Sequence, residues 1–144
     1  MTNVDQERTT VNVQDAKTES QARETEIVEL IPTALVVSTR QSPKGAILSC
    51  DDSTYRWSGA SGVDVAEGFS APDFLTSVVE HFSEQAGFEA ERDVSAWGSP
   101  RVVIQGPGDA RYIVRPIPEK STVHVSSYSP CFVLTGDEGA TGEY

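Results

Sequence analysis

Ser70-Ala71-Pro72-Asp73-Phe74-Leu75-Thr76-Ser77-Val78-Val79-Glu80-His81-Phe82-Ser83-Glu84-Gln85-Ala86-Gly87 is the stretch whose periodicity decides the fold. Ser70 offers a capping hydroxyl, Pro72 an early proline and Asp73 an acid three residues on, which satisfy exposed amides and favour the helix dipole. Phe74, Leu75, Val78, Val79, Phe82 and Ala86 recur at helical spacing, while Thr76, Glu80, Ser83 and Glu84 face away. Gly87 ends the segment. The spacing predicts a helix over 72–86 whose apolar stripe must lie on a sheet.

The strands of that sheet flank the helix in sequence. After it come four short β-leaning runs, 88–94, 101–105, 111–116 and 122–127, punctuated by Ser99-Pro100, Gly106-Pro107-Gly108-Asp109 and Pro116-Ile117-Pro118-Glu119. Connections this short join antiparallel neighbours, so a four-stranded meander is expected. Before it lie a run at 34–38, the turn Gln41-Ser42-Pro43-Lys44-Gly45, and a hairpin of 46–50 and 54–58. Tyr55 and Trp57 share one face of that hairpin and are expected in the core beneath the second helix. Gly59-Ala60-Ser61-Gly62 reads as a turn before Val63 and Val65. Ala22, Ile27, Leu30 and Ile31 mark a first helix over 19–31, stopped by Pro32.

The whole is an α+β arrangement: a mostly antiparallel sheet, made of a hairpin plus a C-terminal meander, with two helices packed on one face. Val102 and Ile104, Tyr112 and Val114, and Val123 and Val125 alternate with polar or smaller partners, which leaves the other face open to solvent.

A chain of 144 residues suits one such domain. Eleven Lys and Arg against twenty-two Asp and Glu give a net charge of −11, which argues against a nucleic-acid groove or a polybasic membrane patch. No run approaches the roughly 20 apolar residues of a membrane span. Residues 1–18 read as a disordered leader, 19–134 as the domain, and 135–144, with Gly136, Gly139 and Gly142, as a flexible tail. Met1 is followed by neither the positive nor the apolar region of a signal peptide, so none is read in this chain. A monomer is expected.

Cys50 and Cys131 are too far apart in sequence for a zinc knuckle or a redox motif, and are either two buried thiols or one disulfide. A bridge would imply an oxidising compartment. His81 and His124 lie on different elements, too few for a three-ligand zinc site. Neither Gly106-Pro107-Gly108 nor Gly59-Ala60-Ser61-Gly62 leads into the Lys-Ser/Thr and helix of a phosphate loop, and the paired acids lack calcium-loop spacing. No catalytic residue, metal or cofactor is therefore predicted. Binding candidates are Trp97 in a Ser-Ala-Trp-Gly-Ser loop, Arg101, Arg111 and Arg115 near the meander's strand ends, and His124 on the solvent side of its strand. Rings and guanidinium groups are what interfaces favour.

Leu48-Ser49-Cys50, Tyr55-Arg56-Trp57-Ser58-Gly59, the mid-chain helix and Ser127-Tyr128-Ser129-Pro130-Cys131-Phe132 together resemble small exported lipoproteins of actinobacteria, over roughly residues 24–144. The resemblance implies a disulfide between Cys50 and Cys131 and residence at the cell envelope; it implies no chemistry. The expectation is a non-enzymatic, envelope-associated domain that binds a protein or small ligand. The alternatives are a cytoplasmic interaction module with reduced cysteines and a hydrolase without a recognisable motif.

Overall fold

A computed structural model of the protein describes residues 12–134 and Tyr144; residues 1–11 of the expected leader and 135–143 of the expected tail lie outside that range. The elements run α1 (Val13–Val28), β1 (Val36–Gln41), β2 (Ala46–Ser49), β3 (Tyr55–Val65), α2 (Ala71–Ser83), β4 (Glu89–Val94), β5 (Pro100–Gln105), β6 (Arg111–Ile117) and β7 (Thr122–Tyr128). All seven strands join one antiparallel sheet in the order β1-β3-β7-β6-β5-β4, with β2 also paired to β3. β7 closes the sheet by inserting between β3 and β6. The α+β architecture predicted from the sequence is the one observed, with both helices on one face.

Helix α2 starts where its cap places it, but it ends at Ser83, short of the expected 86, and leaves Ala86 exposed in the turn that leads to Gly87. The Ser70 hydroxyl accepts from the Asp73 amide at 3.3 Å, and Phe74, Leu75, Val78 and Phe82 are buried. They meet Val102 and Ile104 of β5, Tyr112 and Val114 of β6, and Val123 and Val125 of β7 in the main core. Full burial of such side chains is worth about 1.5–3 kcal/mol each, which is why this face and no other holds the helix.

Helix α1 begins earlier than its apolar residues suggest. The Asn12 side chain accepts from the Asp15 amide at 2.8 Å, and the helix runs from Val13, so residues 13–18 belong to it rather than to a disordered leader. Its buried positions are Val13, Ala16, Ser20, Glu24 and Ile27, one continuous helical stripe. Ile27 enters the main core, whereas Val13 and Ala16 pack with Trp57 and Phe132 in a second cluster. Trp57 therefore lies beneath the start of α1, not beneath α2, because β3 carries it to the end of the sheet that α1 covers.

Between the two clusters lies a polar seam. The carboxyl of the fully buried Glu24 accepts from the hydroxyls of Ser61, at 2.6 Å, and Ser127, and from Gln41 Nε2 at 3.2 Å. Glutamine at position 24 keeps one acceptor oxygen and lets a serine turn from donor to acceptor. Alanine strands both hydroxyls and leaves a void. We expect Glu24→Gln to cost about 1 kcal/mol and Glu24→Ala about 3 kcal/mol in denaturant unfolding. Equal losses for the two would contradict this account of the seam.

The expected turn at Gly59-Ala60-Ser61-Gly62 is instead the middle of β3, which continues unbroken from Tyr55 to Val65. The glycines serve packing there rather than turning. A methyl group at Gly59 would be driven into the Trp57 indole, and one at Gly62 would sit 2.9 Å from the Arg40 guanidinium. Cys50 and Cys131 form a disulfide with a Cα–Cα separation of 6.3 Å, joining the end of β2 to the segment after β7.

Candidate functional site

Alternation along the strands sorts their side chains cleanly. Val63, Tyr112, Val114, Val123 and Val125 point to the helices, whereas Arg56, Asp64, Arg111, Arg115 and His124 stand on the opposite face, which no helix among the described residues covers. Arg115 and His124 are direct cross-strand partners of β6 and β7. Arg101, one strand further on, reaches Asp93 Oδ2 at 3.2 Å. Ser126 Oγ lies 3.4 Å from His124 Nδ1.

The β4–β5 hairpin loop stands beside this group. The Ser95 amide donates to the Ser99 carbonyl at 2.8 Å, and the Ser95 hydroxyl accepts from the amides of Trp97 and Ser99 at 3.3 and 3.2 Å. Gly98 takes a φ of +84°, the left-handed conformation for which glycine is suited. The bonded loop holds Trp97 88% exposed. Trp97, Arg101, Arg115 and His124 line one shallow cavity of about 290 Å³, with Ile113 and Ser126.

Four of the five predicted binding residues thus converge. Arg111 does not join them: it lines a separate groove of about 450 Å³ whose walls include Glu89, Glu91 and Asp93. β6 sets Arg111 opposite Tyr128, two cross-strand rows away from the Arg115–His124 pair. Sequence reasoning missed Ile113 and Ser126. Both stand two positions from a predicted residue, so the strand period itself carries the signal.

Burial, and then the charge of Arg115, hold the His124 imidazole below its ordinary 6.5, against an opposing pull from Glu24. The unfolded chain consequently takes up this proton more readily than the folded one. Stability contributed by neutral His124 is complete above about 6.5 and is lost as pH falls from there through the lowered folded value. Unfolding free energy should therefore decline between pH 7 and 5 in the wild type, and His124→Gln should flatten that decline. An unchanged slope in the variant would rule the assignment out.

His81 lies elsewhere, at the junction of the helices. Its Nε2 is 2.7 Å from Glu26 Oε2, and Gln85 Nε2 donates to the same oxygen at 2.8 Å. Arg23 Nη1 holds the other Glu26 oxygen at 2.7 Å. Burial pushes the Glu26 carboxyl up, but hydrogen bonds from His81, Gln85 and Arg23 outweigh it and leave the group below its usual range. A histidine–carboxylate pair is therefore present, and its third partner is the Gln85 amide; no hydroxyl bonds His81 among the described residues. The group clamps α1 to α2.

Among the described residues, no cluster of three His, Cys, Asp or Glu is arranged to hold a metal, and no helix is long and apolar enough to cross a membrane. Comparison with protein-family models, curated proteins and solved structures gives no match to this chain.

Proposed function

We propose that this chain is a non-enzymatic, envelope-associated binding domain that works outside the reducing cytoplasm and engages its ligand through the uncovered sheet face. The observation that carries the reading is Trp97, 88% exposed on a loop bonded across its base and set at the rim of a cavity lined by Arg101, Arg115 and His124. An aromatic ring left in water beside guanidinium groups costs solubility, and binding surfaces are where proteins accept that cost. The disulfide supports the compartment, since such bonds persist where thiols are not kept reduced.

Fractionation of the native host tests this, with alkylation of each fraction before and after reduction. The expected result is protein in the envelope or extracellular fraction whose two cysteines alkylate only after reduction. Protein found in the cytoplasm with both thiols free would overturn the reading in favour of an intracellular interaction module.

A further inference from the structure

The following inference rests on the uncovered face being the binding surface and names what it takes. We propose that the cavity beside Trp97 binds a small aromatic carboxylate: one negative charge on Arg115 and His124, and one flat ring against the Trp97 indole.

Between Ile27 and Leu134 the chain has eight Lys and Arg, and five of them, Arg40, Arg56, Arg101, Arg111 and Arg115, stand on this face of a protein whose net charge is −11. Most are already answered. Arg40 holds Asp64 at 2.8 Å, Arg101 holds Asp93 at 3.2 Å, and Arg56 lies over the Tyr128 ring at 5.1 Å. Arg111 sits among Glu89, Glu91 and Asp93.

Arg115 differs. Among the described residues its cavity is lined by no carboxylate and no ring lies under its guanidinium, and its cross-strand neighbour is another basic residue, His124. Like charges directly opposite one another disfavour a sheet, so the pairing favours an uncharged imidazole beside the guanidinium. Burial first, and then that neighbour's charge, disfavour the charged form of His124, which so offers a hydrogen bond without a second charge. The site is thus one net positive charge beside one neutral donor, the complement of a monoanion.

A carboxylate matches a guanidinium in plane and spacing. A phosphate monoester would bring roughly a second negative charge, and the second guanidinium in the cavity, Arg101, is already held by Asp93. The apolar part of the lining is Ile113, Ala96 and the Trp97 ring, with Ser95, Ser126 and the Asp93-paired Arg101 beside them. Its 290 Å³ falls at the small end of ligand sites, the size for one ring and a short acid arm.

The test titrates the full, oxidised protein with three probes, 3-phenylpropionate, benzyl alcohol and phenyl phosphate, following backbone and indole signals by NMR. Saturable shifts at Trp97, Ile113, Arg115, His124 and Ser126 are expected with 3-phenylpropionate, at least about tenfold tighter than benzyl alcohol. Arg115→Gln should weaken it by about tenfold, and Trp97→Ala likewise, with the rest of the spectrum unmoved. Benzyl alcohol binding as well as the acid, or an affinity indifferent to Arg115→Gln, would overturn the anionic class while leaving this face a binding surface. Tighter binding of phenyl phosphate would overturn the monoanion. No saturable shift at these residues with any probe would overturn the assignment outright, whereas the compartment is judged separately by fractionation.

Discussion

Replacing both Cys50 and Cys131 by serine should lower the unfolding free energy by about 4.5 kcal/mol, the loop-closure entropy expected for a bridge over so long a loop. The bond joins residues 81 positions apart, so in its absence the unfolded chain gains nearly all the conformations that the link forbids. Such a loss is comparable to the 5–15 kcal/mol total of an ordinary domain. The folded state has a second tie at the same place: Tyr55 and Phe132 exchange backbone hydrogen bonds of 2.8 Å each. Those bonds set the geometry locally, but they form only once the chain has folded and cannot restrict the unfolded ensemble. Guanidinium unfolding of the oxidised, reduced and double-serine forms checks this. A difference under about 1 kcal/mol would mean that the unfolded chain stays compact around this pairing without the bond.

Trp57→Ala is the other large effect, an expected loss of about 3–5 kcal/mol. The indole is fully buried between Val13 and Ala16 of α1 and Phe132, and its Nε1 donates to the Tyr144 carbonyl at 2.9 Å. The residue also ties β3 to the segment after β7, since its amide donates to Ser129 Oγ at 2.9 Å and its carbonyl accepts from the Ser129 amide at 2.9 Å. Alanine leaves those backbone bonds in place and removes the filling of the whole second cluster. Trp57→Phe keeps most of the volume, loses the Nε1 donation, and should cost about 1–2 kcal/mol. Denaturant unfolding of both variants, read by far-ultraviolet circular dichroism, decides it. An alanine variant within 1 kcal/mol of the wild type would show that the cluster contributes little to the fold.

Helix α2 and the meander were legible because each follows a single periodicity whose apolar positions face one core. Four of the strands and both faces of the sheet follow from that rule. Helix α1 was only half legible. Two members of its buried stripe, Ser20 and Glu24, are polar, so apolar spacing places the helix at 19–31 and misses its start at Val13. The partners that make Glu24 acceptable there, Ser61 and Ser127, are 37 and 103 residues away and invisible locally.

Gly59 and Gly62 misled for a related reason. Glycine ordinarily weakens a strand, and what demands it at position 59 is the bulk of the Trp57 indole beside it, whereas at Gly62 only the movable end of Arg40 lies close. The candidate site was legible as residue types, in Trp97, Arg101, Arg115 and His124, but not as an arrangement. Register sets which of them meet, and register separated Arg111 from the rest.

The place of β7 in the sheet order has a further consequence for how the molecule is made. β3 pairs on one side with β1 and β2, which are near it in sequence, and on the other with β7, whose paired residues, from Asp64 with Thr122 to Ser58 with Tyr128, are synthesised 58 to 70 positions later. A nascent chain emerging N-terminus first thus holds one edge of β3 unsatisfied until residues 122–128 arrive, and β6 waits with it. For that interval the exposed edges invite intermolecular pairing, and Cys50 carries a lone thiol. The sheet is thus completed by the last strand made, and the Cys50–Cys131 bridge cannot close until residue 131 has been added to the chain.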